Sequence, residues 1–518
     1  MGNAKKDIIY NGFAGGLCSV QSGEIALPNQ LQQATNAVIL ENGVIRKRPG
    51  VKQIEENYFA AWIIDLFNGY KSMSSKHLAV ANSTIHTYTT GGLGQFAYMD
   101  RYLHTNGSDP MVAITGITAA ACLGAPLSRV MLKHNDRCFM AVGRVLYETA
   151  VGTYPDSAVD NFADGATWTI GGSGQNIIGL GSIGRNLFIF KQKSIYIQVG
   201  YTKSERQTYL LSSEYGCLSP DTIKNVNLKG IGPAVMFLSD EAKLCAATME
   251  GIIEVGDAVQ DILDTIYLGT AVNEKAISTY LHRARAGVDP RGYYILGFAT
   301  VATDAYNSFS QALCVSLNES YDSQFGGRRW PITLWKYTGT TDTSEIYYNA
   351  FGMSDVATIY GYKLHLPAKT PDGHYTWVEV DWSRYNDQWG TGIPYTNKWV
   401  DMTIQTRNED AGTRQINKQW TDCLIKVIQE QPTTGLAFFP FRLSQEVDYN
   451  LAIDSPPTVY QENLVGSNKP PNYLIELQHG LVGDGIQTNI VLENYNSVGD
   501  GDHRIHGLTI QFLRSNAV

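Results

Sequence analysis

The sequence predicts an all-β protein, a five- or six-bladed β-propeller with an N-terminal arm and a C-terminal β-sandwich-like domain. Three observations predict it. The 518 residues include 50 glycines and 30 tyrosines; glycine supplies the positive φ of tight turns, and tyrosine suits a half-buried pleated surface. Apolar residues at helical spacing are scarce, the best runs being Pro28–Leu40 and Val255–Ile266, whereas short apolar or alternating runs closed by turn residues recur throughout. Finally, one hairpin unit repeats, starting at Lys76, Arg137, Arg185, Pro233, Arg291 and Glu345, at intervals near the roughly 40–50 residues of a propeller blade plus insertions.

Residues 1–60 precede the repeat and form an arm with little core of its own. Its apolar residues Leu27, Leu31, Val38, Leu40, Val44 and Ile45 are too many for a solvated tail, so the arm must pack on this chain or on a neighbour. The basic run Arg46, Lys47 and Arg48, before Pro49, is then expected where the arm meets the propeller or an acidic partner surface, since arginine holds a carboxylate with two parallel hydrogen bonds.

Residues 61–365 carry the propeller. Most units share one grammar: a nearly all-apolar strand, a short polar turn, and a second strand that alternates. In the unit from Arg185, Leu187, Phe188, Ile189 and Phe190 are apolar on both faces, as a strand between neighbouring sheets requires. One or two β-sandwiches built from the same hairpins are the alternative. After Leu366 the break LPAKTPDGH opens a separate β-domain, 366–518, with strands beginning at Lys398, Thr421, Tyr473 and His506; in the last, His506, Leu508, Ile510 and Phe512 share a face.

Composition narrows the function classes. With 43% hydrophobic and 17% charged residues the chain has apolar area for a core and too little charge for disorder. A net charge of −9 argues against a dedicated nucleic-acid surface, which needs a concentrated excess of cations. Seven cysteines without a CxxC pair read as buried free thiols of a reducing cytosol. The first residues lack the apolar run of a signal peptide, Lys6 stands where a myristoylation motif wants Ser or Thr, and the most apolar stretch, Gly116–Leu127, falls short of the ~18 residues of a membrane span. A soluble protein made in the cytosol is expected.

Chemical motifs are few. Gly179–Gly184 spells G-x-G-x-x-G but leads into the strand NLFIFK rather than a helix that could cap a pyrophosphate, so it reads as a turn between strands. No P-loop, nucleophile elbow or HExxH is present, and no cofactor is expected. His503 and His506, with Asp500 and Asp502 just before them, are candidate metal ligands, but an odd separation in a strand puts the two imidazoles on opposite faces. Asp136, Asp240 and Asp355 are the acid/base candidates if the propeller cleaves glycosides, which takes two carboxylates about 5–10 Å apart; turns recruit aspartate without catalysis. The expectation is that the chain is not an enzyme. Trp377, Trp382, Trp389 and Trp399 are either a binding platform or inter-domain packing.

One set of residues resembles a known family. Leu27 and Pro28, Asn36, Gly43 and the run Arg46–Gly50 are similar to the N-terminal signature of tail-nozzle or tail-tubular-protein-B-like virion proteins of short-tailed bacteriophages. Trp168–Gly200 and Glu214–Thr248 resemble the propeller blades of those proteins, although Glu241–Lys243 replace their usual Asp-Gly turn, and HRIHGLTIQFLRS resembles their last strand. The matches cover about a quarter of the chain and none is catalytic.

The resemblance implies a structural virion protein of the tail, assembled in the host cytoplasm as a homo-oligomeric, typically hexameric, ring. Its partners would be portal and adaptor proteins above and fibre or needle proteins below, with DNA passing through unbound and no membrane insertion. Leu27, Pro28, Asn36, Arg46, Lys47, Arg48 and Pro49 become the candidate assembly residues. An acidic wall that repels phosphate suits a DNA conduit. The alternatives are a receptor- or carbohydrate-binding propeller, or a propeller glycosidase or depolymerase.

Overall fold

Antiparallel strand pairs build most of the computed structural model, which describes residues 5–19, 27, 29–53, 63–71, 74–81, 95–99, 102–115, 118–172, 174–263, 278–300, 309–322, 327–336, 345–348, 351–353, 363–370, 372–383, 386–389, 396–409, 418–429, 441–447, 450–451, 458–459, 474–481, 484–485, 487–494 and 503–514. The chain divides into two units, one of Gln53–Ala312 and Tyr337–Glu379, the other of Met1–Lys52, Leu313–Lys336 and Val380–Val518. Among the described residues no helix is long and apolar enough to cross a membrane.

The first unit is the propeller. Four antiparallel four-stranded sheets follow one another in chain order, within residues 95–121, 130–169, 177–212 and 224–254. The leading strands Ile63–Lys71, Gln95–Tyr98, Val130–His134, Ile177–Ile183, Lys224–Leu228, Arg285–Asp289 and Leu364–Lys369 each lie beside the next, and the last returns beside the first. Among the described residues seven strands lie in this circuit, where the sequence repeat suggested five or six blades; Leu364–Lys369 is not the first of its sheet, since Glu345–Ile346 and Gly352–Met353 pair with it. The sheet that the repeat passed over is 95–121, whose strands QFAY, YLHT, VAIT and TAAA are short, and partly built of alanine and threonine, so they lack the long apolar run that marks the others.

Period-two alternation explains the core. In the strand Asn186–Lys191, Leu187 and Ile189 pack with Val130, Phe139 and Leu146 of the preceding sheet. Phe188 and Phe190 face the other way, toward Val235, Phe237 and Cys245 of the following sheet. Each such side chain contributes about 1.5–3 kcal/mol on burial, and one strand serves two interfaces.

Gly179 and Gly181 sit in the strand Ile177–Ile183. A Cβ there would fall 2.2 Å from Ile223 Cδ1 and 2.7 Å from Val235 Cγ1 respectively, so the first two glycines of G-x-G-x-x-G let the next sheet close in. Gly184, at φ +57, makes the turn.

Among the described residues the second unit holds two large sheets, besides the hairpin Asn386–Trp389/Thr396–Trp399 beside Gly50–Gln53 and the short pair Tyr321–Asp322/Arg328–Arg329. In one, Gln30–Thr35 lies between the parallel Ile332–Lys336 and the antiparallel Met402–Thr406, followed by Thr488–Asn494 and Phe441–Val447. In the other, His503–Arg514 is flanked by Lys6–Tyr10 and Lys418–Gln429, with Leu474–Gly480 beyond. Ile45–Lys47 pairs with Ala37–Ile39 and meets Ile505. The described residues of 1–52 therefore contribute structural strands to this unit rather than an arm without a core; Leu31 and Ala34 of Gln30–Thr35 and Val38 of Ala37–Ile39 are buried in its sheets. The face expected of the last strand is shifted by a bulge: Lys426 pairs with Gly507 and Val427 with Ile505, so Ile505 is buried and His506 stands at the irregularity.

Candidate functional site

Residues at or just ahead of the start of three of the circuit strands come together. Arg129 immediately precedes Val130–His134, Asp221 sits in the 3-10 turn Pro220–Thr222 ahead of Lys224–Leu228, and Arg285 opens Arg285–Asp289. Arg129 and Asp221 belong to sheets separated by the whole 177–212 sheet, yet Nη2 and Oδ2 are 2.5 Å apart. Side chains two sheets apart meet only where the sheets converge on the axis. Arg285 Nε reaches the same Asp221 oxygen at 3.5 Å.

The turn that presents Asp221 is held from several sides. Thr222 Oγ1 donates to Ser219 O at 2.7 Å and accepts from Leu238 N, Tyr294 Oη donates to Thr222 O at 2.8 Å, and Ser219 Oγ donates to Ala284 O at 2.8 Å, next to Arg285. Burial pushes the Asp221 carboxyl up, and Arg285, Arg129 and Lys224 outweigh burial to hold it below the usual aspartate range. Arg129, Lys224 and Arg285 thus all act on the Asp221 carboxylate. Sequence reading missed this cluster because its members are far apart in the chain and match no motif.

The acid/base candidates are not brought together. Asp136 lies in the turn between the first and second strands of its sheet, at φ +56 beside Asn135 at φ +48, while Asp240 follows a second strand and accepts from Gly216 N at 2.8 Å. In a meander these turns are at opposite ends. Asp355, Asp500 and Asp502 lie outside the described residues, as does the side chain of His503; burial, helped by Arg504, holds the imidazole of His506 below its usual range. Among the described residues no group of three or more His, Cys, Asp or Glu is placed to hold a metal ion. Trp377, Trp382 and Trp389 are buried, so they offer no exposed platform, and the side chain of Trp399 is outside the described residues.

The candidate assembly residues form an internal latch in the second unit. Asn36, at φ +52, donates Nδ2 to Asp401 O at 2.9 Å, and its Oδ1 accepts from Arg48 Nε at 3.2 Å and Lys336 N at 2.9 Å. Arg48 forks onto Asp387 with contacts of 3.2 and 3.0 Å, both side chains at most 4% exposed. Arg46 donates to Trp382 O at 3.1 Å with its guanidinium over that ring. Lys47 and Pro49 are buried, Leu27 is half-buried, and Pro28 lies outside the described residues. The acidic partner expected for this basic run is supplied by the chain's own Asp387.

No family model matches the sequence, and no curated protein matches it. Among solved structures, the chain is similar to an extracellular domain from B. thetaiotaomicron, at 10% identity and a TM-score of 0.38, over 75% of this chain; it spans only 44% of that protein's length. It is also similar to an exo-β-1,3-galactanase from Phanerochaete chrysosporium, at 8% identity and a TM-score of 0.23, covering 90% of this chain and 99% of that one. A third likeness is to a glycoside hydrolase family 43 arabinoxylan arabinofuranohydrolase from Bacillus subtilis, at 11% identity and a TM-score of 0.17, covering 74% and 95%. The expectation that the chain is not an enzyme is corrected here. It rested on missing motifs, and two of these neighbours are hydrolases. Likenesses this distant assign no activity in turn. The strand order and the circuit of sheets make this an all-β propeller chain, and no family model matches it.

Proposed function

We propose that the chain is a structural virion protein, a ring-forming tail-nozzle subunit of a short-tailed phage that surrounds the DNA channel below the portal and adaptor and carries fibres or a needle. The observation that supports this is the Ala26–Val51 likeness, which now has a physical reason. Asn36 must be left-handed, Arg48 must fork onto Asp387, and Gly50 must lack a Cβ, which would come within 2.0 Å of Asn386 O. A signature of Asn, Arg-Lys-Arg and Pro-Gly is what such a latch demands. The DNA channel in this reading belongs to the ring, not to the propeller. Electron microscopy of the purified protein and of intact particles tests it. Rings in solution and the same ring at the tail are expected; a monomer absent from particles overturns the reading.

A second reading, a propeller that binds a receptor or a carbohydrate, is favoured by one specific observation, the Arg129–Asp221–Arg285 cluster at the axial end. A glycan array probed with the purified protein tests it, with an assay for released reducing sugar on any hit. Selective binding abolished by substitution at the cluster is expected, and an array without binding overturns it.

A further inference from the structure

We infer that the outer edge of the 177–212 sheet is a contact between two copies of this chain, made by antiparallel pairing of Gln207–Ser212 with the same strand of a second copy. Among the described residues this strand is the last of its sheet and pairs only with Ile195–Val199. Its other edge therefore offers alternate backbone N–H and C=O groups to a further strand. Gln207, Thr208, Tyr209 and Leu210 are all exposed, Tyr209 by 52% and Leu210 by 54%. Neighbours in a strand point to opposite faces, so each face presents one large apolar side chain. The outer strands of the other four-stranded sheets are better protected: Thr118–Ala121 ends in alanines, Ala166–Thr169 half-buries Trp168, and Ile252–Glu254 carries a carboxylate held by Tyr215 and Lys243. Gln207–Ser212 has no charge, proline or glycine to turn a partner strand away.

Charge selects the occupant. The strand is neutral, so a second copy of this chain meets no like charge along it. Exposed Lys203 lies ahead of the strand and exposed Glu214 just beyond it. Antiparallel pairing sets the start of each strand beside the end of the other, so Lys203 of one copy meets Glu214 of the other, twice over. The loop before the strand is already fastened to the preceding sheet, with Arg137 Nη1 donating to Tyr201 O at 2.6 Å and Arg206 paired with Glu148, which lowers the ordering cost of association. Such a contact uses one surface twice, whereas a ring needs two different surfaces. The inference therefore goes beyond the ring reading and does not depend on it.

Sedimentation of the full chain over a concentration series tests it, together with zero-length carbodiimide cross-linking of a mixture of isotopically light and heavy protein. A reversible doubling of mass, of the single chain or of a ring, is expected, with a mixed-isotope cross-link between Lys203 and Glu214. Within one chain the intervening strand keeps those two about 20 Å apart, beyond the reach of such a link. Tyr209→Lys and Leu210→Lys should each weaken the pairing at least about tenfold, since like charges then crowd the two-fold axis. Lys203→Glu should weaken it as well, and Lys203→Glu combined with Glu214→Lys should restore it, which a folding defect would not do. All four side chains are exposed, so the fold should survive, and circular dichroism checks this. A mass that never doubles, doubling indifferent to Tyr209→Lys and Leu210→Lys, a charge swap that restores nothing, or Lys203 linked to a different carboxylate of the second copy overturns the inference. Rings unchanged by Leu210→Lys and lacking the mixed cross-link overturn it while leaving the ring reading intact; pairs without rings support it and overturn that reading alone.

Discussion

Arg48 and Asp387 show what a buried ion pair demands of single residues. Both are desolvated, so their attraction is needed to offset the loss of water, and removing one partner strands the other. Arg48→Met is expected to cost about 3–5 kcal/mol, read as a lowered urea midpoint, and Arg48→Lys to recover only part of it, because an ammonium cannot replace the fork that also reaches Asn36. Asp221 gives the pH dependence. Its folded pKa is depressed, so its contribution is fully present above the ordinary aspartate value of about 3.9 and is lost as pH falls through the folded value. Wild type should therefore lose more stability between pH 5 and pH 2 than Asp221→Asn, in parallel denaturant titrations; equal losses would show that Asp221 is not held ionised by its arginines. At this scale the sequence was partly legible. The Arg-Lys-Arg-Pro-Gly run announced an Arg–carboxylate contact, but Asp387, more than three hundred residues away, could not be paired with it by spacing. The axial cluster was illegible for the same reason, since it exists only once the strands converge.

Elements were read more faithfully, because hairpins are local. Leu187–Phe190 was identified as apolar on both faces, and the structure assigns each face to a different neighbouring sheet. The G-x-G-x-x-G run was read as a turn, and its first two glycines proved in addition to be packing positions. Gly179→Val is expected to destabilise by about 1–3 kcal/mol through overpacking against Ile223, although valine favours strands, and thermal unfolding measures which effect wins. The left-handed pair Asn135 and Asp136 supports a similar argument. Asp136→Val should cost about 1–2 kcal/mol, because a β-branched residue fits that conformation poorly, while Asp136→Gly should be close to neutral. A loss of stability in Asp136→Gly as large as in Asp136→Val would mean that the aspartate side chain, not its backbone, matters there. What escaped the repeat search was the 95–121 sheet, whose four-residue strands carry too little contrast between faces. The turn at Glu241–Lys243 departs from the Asp-Gly pattern of the phage proteins, yet Ala242 at φ +60 takes the left-handed role that glycine fills there.

Chain order and spatial order part company across the whole molecule. The propeller interrupts the other unit, which gathers its strands from Met1–Lys52, Leu313–Lys336 and Val380–Val518, so reading along the chain suggested an arm, a propeller and a terminal domain. The distinction has a direct consequence for truncation. An arm could be removed at little cost, whereas Gln30–Thr35 stands between Ile332–Lys336 and Met402–Thr406, and Lys6–Tyr10 borders His503–Arg514. Deleting residues 1–52 would expose the buried faces of Ile404, Leu508 and Ile510 and leave Met402–Thr406 without one of its two partner strands, and unpaired buried backbone groups are among the costliest defects a sheet can carry. Hydrogen exchange on the truncated chain is therefore expected to show loss of protection across 402–406 and 503–514 while the strands within 130–254 stay protected, since those pair only with one another. Equal protection of both regions in the truncated and full-length chains would mean that residues 1–52 are a dispensable extension after all.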